Sequence, residues 1–457
     1  MNYSVVIYIL GWIMEIEAAF LALPGIVSAI YGEKGGFAFL WVALGSAVAG
    51  SAIILRKPKN MRFYLREGFV TVALSWILMS VIGCLPFVIN GDIPHFADAL
   101  FEMISGFTTT GATVVSDVEG LTKGSLFWRS FSHWIGGMGV LVFLLAIVPM
   151  AGGSHMNLMK AESPGPSVGK LVPKVRQTAK YLYIIYFALT MIEVIFLLFG
   201  GMNLFEALTT SFGTAGTGGF AIWNDGFVSV SPYNQWVVTI FMLLFGVNFG
   251  FYFLILTGKL RDALKFEEVR IYFIIVIAAA VFIFINLRHF ALYAPAEGIR
   301  QAFFQVASII TTTGFASADF NLWPETSRTI LVLLMFIGAC AGSTGGGIKV
   351  SRFIIACKSF IKEIISYLHP RSVKKIKIEG KPLEHETLRA TNVYFMTYMV
   401  IFAVSVLLVS IENKDLVTNF AAVAATFNNI GPGLSLVGPM ANFGHFTDFT
   451  KYILMFD

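Results

Sequence analysis

Four stretches of the chain set threonine, asparagine and glycine side by side among strongly apolar neighbours. They read "FADALFEMISGFTTTGATVV" (96–115), "LFEALTTSFGTAGTGGFAI" (204–222), "IRQAFFQVASIITTTGFAS" (299–317) and "VTNFAAVAATFNNIGPGLSL" (417–436). The polar turn of each supplies neutral oxygens: hydroxyls, an amide, and backbone carbonyls that glycine leaves uncovered. Such oxygens can replace the water shell of a cation. Glycine also permits φ > 0, so successive carbonyls can turn toward one axis. Aligned on Gly111, Gly219, Gly314 and Gly431, the stretches recur roughly every 100 residues, each with a longer apolar segment before and after it, which marks an internal repeat.

The surrounding elements explain why such turns need a special setting. The chain has 457 residues, 56% hydrophobic and 13% charged, and a mean hydropathy of +0.76. A soluble domain has roughly 25% charged residues, so this composition calls for a bilayer. Apolar runs long enough to span lie near 3–30, 36–55, 69–89, 126–150, 181–200, 234–257, 269–287, 328–348 and 392–411, and a further one begins at "FTKYILMFD". Met1 opens an apolar run without a basic leader, so no cleavable signal is expected. Cys84, Cys340 and Cys357 lie in or beside apolar segments and form neither a disulfide framework nor a metal spacing.

Charge sets the expected orientation. Loop 56–66, loop 160–180, loop 259–270 and segment 349–389 hold most of the 32 Lys and Arg. By the positive-inside rule these loops and the N-terminus are cytoplasmic. The interrupted stretches then fall on the outer side. Each reads as a half-helix ending in a turn, too short to cross. Non-helical backbone at membrane depth is tolerated only where it lines a water-filled path or is buried in protein. Four such turns around a pseudo-fourfold axis make a ring of oxygens, with the negative ends of the half-helices aimed at its centre.

These residues carry a resemblance. "TTTGAT", "WRSFSHWIGGMGV", "GTGGFA", "TTTGFAS", "GACAGSTGGGIKVSRF" and "AATFNNIGPGLS" resemble the Trk/Ktr/HKT superfamily of potassium transporters, and within it the membrane subunits of bacterial Trk uptake systems. The resemblance covers most of the chain from residue 67 onward, and the spans at 3–55 match the extra N-terminal pair of those subunits. It implies an all-α integral membrane fold with four pseudo-repeated helix–pore helix–filter loop–helix units around one pore. The expected divisions are an N-terminal helix pair (1–66) and pore repeats at 67–160, 161–265, 266–385 and 386–457, the last incomplete. The family closes its fourth repeat with a full membrane helix. Here Phe449 to Asp457 supplies about nine residues, under half a bilayer at about 1.5 Å each, so a truncated final helix is expected.

The resemblance also implies the site and the partners. Potassium, the transported ion, is expected at Thr109, Thr110 and Gly111; Thr217, Gly218 and Gly219; Thr312, Thr313 and Gly314; and Asn429, Ile430 and Gly431. Each loop keeps one reliable filter glycine and differs from its neighbours, which suggests looser discrimination against sodium. A homodimer in the lipids of the cell (inner) membrane and a cytosolic nucleotide-binding regulatory subunit are implied; no nucleic-acid partner is. The basic run "HPRSVKKIKIEGKPLEHE" (369–386) serves orientation and is a candidate docking surface for such a subunit.

"GACAGSTGGGIKVS" (338–351) interrupts the span after the third turn. Each glycine inside a helix costs about 1 kcal/mol against alanine, so Gly338, Gly342, Ser343, Thr344, Gly345, Gly346, Gly347 and Lys349 read as an unwound loop that could gate the ion path. A close-packing kink is the plainer alternative. The stretch nearly spells a phosphate-binding loop, but Ile348 separates Gly347 from Lys349 and no strand precedes it. Glu15, Glu17 and Glu193 lie inside spans and are functional candidates by position. His133 has no metal-ligand partner at useful spacing and reads as a packing histidine. A proton-coupled carrier of a small solute would place acids or histidines beside its substrate, whereas the turns offer Thr, Gly and Asn. No catalytic motif of a membrane enzyme lies within the spans.

Overall fold

In a bilayer a spanning segment has to satisfy its backbone hydrogen bonds internally, and the apolar runs accordingly fold as helices. The computed structural model of the chain describes residues 1–60, 64–137, 139, 175–369, 375–379 and 381–457. Helices α1 (Tyr3–Ile30), α2 (Gly36–Ile54), α3 (Leu65–Asn90), α6 (Val175–Phe199), α11 (Glu267–His289) and α15 (His385–Val409) contain stretches long and apolar enough to cross a membrane. The helices α1 and α2 pack along one another through small residues, with Gly50 against the Gly11 backbone and Gly36 against Ser28. This pair leans on α3.

Two expected spans differ from the sequence reading. The run 234–257 is broken into α8 (Pro232–Phe245) and α9 (Phe249–Leu256), bent by 89°. Its break lies at Gly246–Asn248, where Asn248 caps α9 by accepting from the Gly250 N–H at 2.8 Å. The run 328–348 is helical only as α13 (Glu325–Met335), and helix resumes at α14 (Val350–Leu368). Of 126–150, the helix α5 (Lys123–Gly137) is described. Residue 138 and 140–150 lie outside the described residues, as do most of loop 160–180, Arg62 and Lys374. A short helix α10 (Leu260–Ala263) precedes α11, and a two-stranded hairpin, β1 (Lys377–Ile378) with β2 (Lys381–Pro382), lies between α14 and α15.

The four interrupted stretches form α4 (Phe96–Phe107), α7 (Leu204–Ala215), α12 (Pro295–Ile310) and α16 (Leu416–Phe427), each shorter than the ~20 residues a span needs. Their N-termini are fixed locally. Asn203 and Glu206 form a capping box on α7, Pro295 occupies the first turn of α12, and Asp415 accepts the Thr418 N–H at 2.9 Å on α16. A last helix, α17 (Asp448–Phe456), packs on α4, where Lys451 is paired with Asp98 at 2.5 Å.

Candidate cation-binding site

All four short helices end in the same turn. A threonine or asparagine adopts the left-handed conformation, at Thr109 (φ 62°), Thr217 (φ 52°), Thr312 (φ 59°) and Asn429 (φ 61°). Two residues on, the glycine does so too: Gly111 (77°), Gly219 (79°), Gly314 (84°) and Gly431 (89°). The residue between them donates its N–H to the carbonyl five positions back along the helix end, Thr110 to Ser105 (2.9 Å), Gly218 to Gly213 (2.9 Å), Thr313 to Ser308 (2.9 Å) and Ile430 to Ala425 (2.8 Å). This is the Schellman closure normally built on glycine. Three β-branched threonines hold it here, a conformation unusual enough to mark a site where strain is sustained by its surroundings. Sequence reasoning placed positive φ on the glycines alone, and the preceding threonines carried no signal for it.

The glycines lie against one another in a closed cycle. A Cβ added to Gly111 would overlap the carbonyl oxygen of Gly218; one on Gly219, that of Thr313; one on Gly314, that of Ile430. The cycle closes at Gly431, whose Cβ would lie 2.9 Å from the carbonyl oxygen of Thr110. Thr110 O, Gly218 O, Thr313 O and Ile430 O are thus equivalent, one from each turn. The side-chain oxygens are largely engaged elsewhere. Thr110 Oγ1 donates to Asn429 Oδ1 at 2.7 Å, Asn429 Nδ2 donates to the Thr108 carbonyl at 2.5 Å, and the Thr311 and Thr313 hydroxyls share a bond of 2.7 Å. A single cleft is lined by all four glycines together with Phe220, Phe315 and Pro432, and none of its lining residues is acidic.

Behind the ring lie residues that sequence reasoning did not assign. Arg129 on α5 is buried and paired with buried Glu102 on α4 at 2.7 Å. Glu102 also accepts from Thr113 Oγ1 (2.9 Å) and the Val114 N–H (3.1 Å), just past the first turn. The Arg129 guanidinium stacks on Phe220, 4.2 Å from the ring centre, just past the second turn. The only sequence signal was a charge within each of two apolar segments. His133, fully buried, bridges the same two units. Its Nε2 accepts the Phe220 N–H at 3.2 Å, so Nδ1 carries the proton and donates to the Gly106 carbonyl at 2.8 Å. A Cβ at Gly218 would overlap the His133 ring, which explains a glycine where the other turns carry threonine or isoleucine.

The interrupted stretch 338–349 lies beneath the third and fourth turns. The Gly346 N–H donates to Thr312 Oγ1 at 2.6 Å, and a Cβ on Gly346 would come within 2.6 Å of Asn429 Cβ. The left-handed residues are Gly338, Gly342, Gly347 and Lys349, with Gly345 and Gly346 outside that region. Lys349 is buried, and its ammonium is bonded to the Gly345 carbonyl. The break between α8 and α9 receives this loop: the Cys340 N–H donates to the Gly246 carbonyl (3.0 Å), the Phe249 N–H to that of Gly342 (2.9 Å), and Thr344 Oγ1 to that of Phe245 (3.3 Å).

Among the intramembrane acids, Glu15 accepts from Ser51 Oγ at 2.6 Å, while Glu17 and Glu193 are fully buried with neither carboxylate oxygen hydrogen-bonded. At the opposite end, His95, Asp98 and Asp448 approach one another, with Asp98 already bonded to Lys451.

Comparison with known proteins identifies the architecture. The family model for TrkH, a cation transport protein, matches residues 37–457. The chain is 36% identical to the Trk system potassium uptake protein TrkH of Escherichia coli K12, covering 100% of this chain and 95% of that one. It is 31% identical to TrkG of the same organism, covering 99% and 94%. The crystal structure of the potassium transporter TrkH from Vibrio parahaemolyticus superposes with a TM-score of 0.87 at 31% identity, covering 100% of this chain and 95% of that one. With its several membrane-crossing helices, the chain belongs to the TrkH family of cation transport proteins.

Proposed function

We propose that the chain takes up potassium across the cytoplasmic membrane through a single pore at the centre of the four turns. The observation that carries this reading is the closed cycle of Thr110, Gly218, Thr313 and Ile430 carbonyls packed against Gly431, Gly111, Gly219 and Gly314. Carbonyl dipoles in a ring can replace the hydration shell of a monovalent cation without binding it too tightly to leave. The proposed divisions are four pore units at 67–160, 161–265, 266–385 and 386–457 with an N-terminal pair at 1–66. Thr109, Thr217, Thr312 and Asn429 complete the ion-contacting set with their carbonyls.

Residues 338–349 act as the gate. Their bond to Thr312 and the buried Lys349 ammonium support this, because a positive charge held below a cation path opposes passage. The N-terminus and the basic loops face the cytoplasm, where a nucleotide-binding regulatory subunit docks, and the functional unit is a homodimer. The names of the relatives, Trk system potassium uptake proteins, agree with this reading. The test is growth of a potassium-uptake-deficient bacterium on low-potassium medium. Rescue by this chain and loss of rescue on Gly314→Asp are expected; growth that depends on a solute other than potassium would overturn the reading.

A further inference from the structure

Helix α11 opens with two adjacent acids that serve different elements, as neighbours on a helix must, since they project about 100° apart. Glu267 is paired with Lys358 of α14 at 2.6 Å. The same Lys358 ammonium donates to the Lys377 carbonyl of β1 at 2.8 Å. Glu268 is buried, and a single oxygen, Oε1, accepts the Ala341 N–H at 2.7 Å and the Ser351 N–H at 2.9 Å. Ala341 belongs to the interrupted loop, and Ser351 to the first turn of α14, where backbone donors have no partner inside the helix. One carboxylate from another helix therefore closes the loop at both ends.

The loop needs such a tie. It carries a left-handed lysine, Lys349 (φ 77°), and three left-handed glycines. A strained non-glycine backbone persists only when its surroundings over-determine it. The Ala339 carbonyl accepts the Val350 N–H at 3.0 Å, but that bond is internal to the segment and would move with it. Glu268 ties the loop to a spanning helix.

We propose that Glu268 is a positioning residue for transport. Its carboxylate latches residues 338–349 across the path, and Glu267 with Lys358 connects the latch to the β1–β2 hairpin on the face assigned to the cytoplasm. A load on the hairpin would pull on α14 and draw Ser351 away from Glu268. This inference rests on the gate reading given above.

The experiment is rubidium uptake into liposomes containing the purified protein and no other protein. Glu268→Ala should raise uptake about ten-fold, equivalent to about 1.4 kcal/mol in the equilibrium between closed and open loop. Glu268→Gln keeps the shape and one acceptor oxygen. It should raise uptake less, because charge-assisted hydrogen bonds are about twice as strong as neutral ones. Competition by sodium should be unchanged in both, since no ring residue is touched. A purely structural role would lower uptake instead, and a fall in monodisperse Glu268→Gln protein would overturn the proposal. If both variants transport like the parent while deletion of Gly345 to Gly347 raises uptake, the latch is wrong and the gate stands. If the deletion also changes nothing, the gate reading falls and the latch with it.

Discussion

At the scale of single residues, the ring turns on contacts that leave no room for a side chain. Gly314 has φ 84°, and a Cβ there would overlap the Ile430 carbonyl and lie 3.0 Å from Pro432 Cδ. Serine at 314 therefore has to displace the fourth turn's oxygen, and Gly314→Ser should let sodium compete better with rubidium uptake. Gly32 is the control: its φ is 71° but nothing lies within 4 Å, so Gly32→Ser should leave ion competition unchanged. The Glu102–Arg129 pair makes a different prediction. Arg129→Met leaves a buried carboxylate uncompensated and should cost about 3–5 kcal/mol of stability. The double change Glu102→Met with Arg129→Met should recover most of it, as thermal unfolding in detergent would read. Little of this was legible in the sequence. Glu102 and Arg129 sit on different helices, and nothing local says that they meet. The turn threonines were legible as oxygen donors but not as left-handed residues, because their β-branched side chains argue against that conformation.

At the scale of elements, each short helix has to hold its turn in register, and α16 is held at its far end by Asp415. That carboxylate accepts from Thr418 Oγ1 at 2.6 Å and from the Thr418 N–H at 2.9 Å. These bonds hold its pKa below the ordinary aspartate value. A depressed folded-state pKa gives stability that is present above the unfolded value, about 3.9, and is lost as pH falls through the folded one. Asp415→Asn keeps the cap and should flatten the stability profile below about pH 4. Asp415→Ala should lower stability by about 1 kcal/mol at neutral pH. The half-helices themselves were legible because each is an apolar run of the wrong length followed by a polar turn. The α8–α9 break was not, since Gly246 and Asn248 are lone interruptions in an otherwise spanning hydrophobic stretch. Its role emerges only from its bonds to Cys340, Gly342 and Thr344 across the fold. Deleting Gly345 to Gly347 removes the Gly346 N–H bond to Thr312 and should raise rubidium uptake without a partner, with ion competition nearly unchanged.

At the scale of the whole molecule, the ring is closed but its supports are not alike. The first two turns are tied together by an ion pair and a histidine, the third by neutral groups such as the Ser308 hydroxyl on the Phe315 carbonyl (2.6 Å), and the fourth by Tyr398 on Asn428 (2.7 Å). Among the described residues, the loop 338–349 bonds to or lies against the third and fourth turns. In the proposed function, a signal can reach this loop through α14 and the hairpin, and that part of the chain also carries the basic segment 349–389. Charge in that segment does two jobs in the proposed function, orientation and docking, and they separate by experiment. Reversing Lys375 and Lys377 together with Lys374, which lies outside the described residues, leaves the other basic loops in place. Topology should hold, because the bias is shared among four loops. Docking of an acidic partner face should weaken, more so at low ionic strength, where unscreened charges reach furthest. A pull-down with the regulatory subunit at two salt concentrations reads the effect. Reduced capture that is most marked at low salt is expected, and equal capture by parent and variant would confine the basic run to orientation.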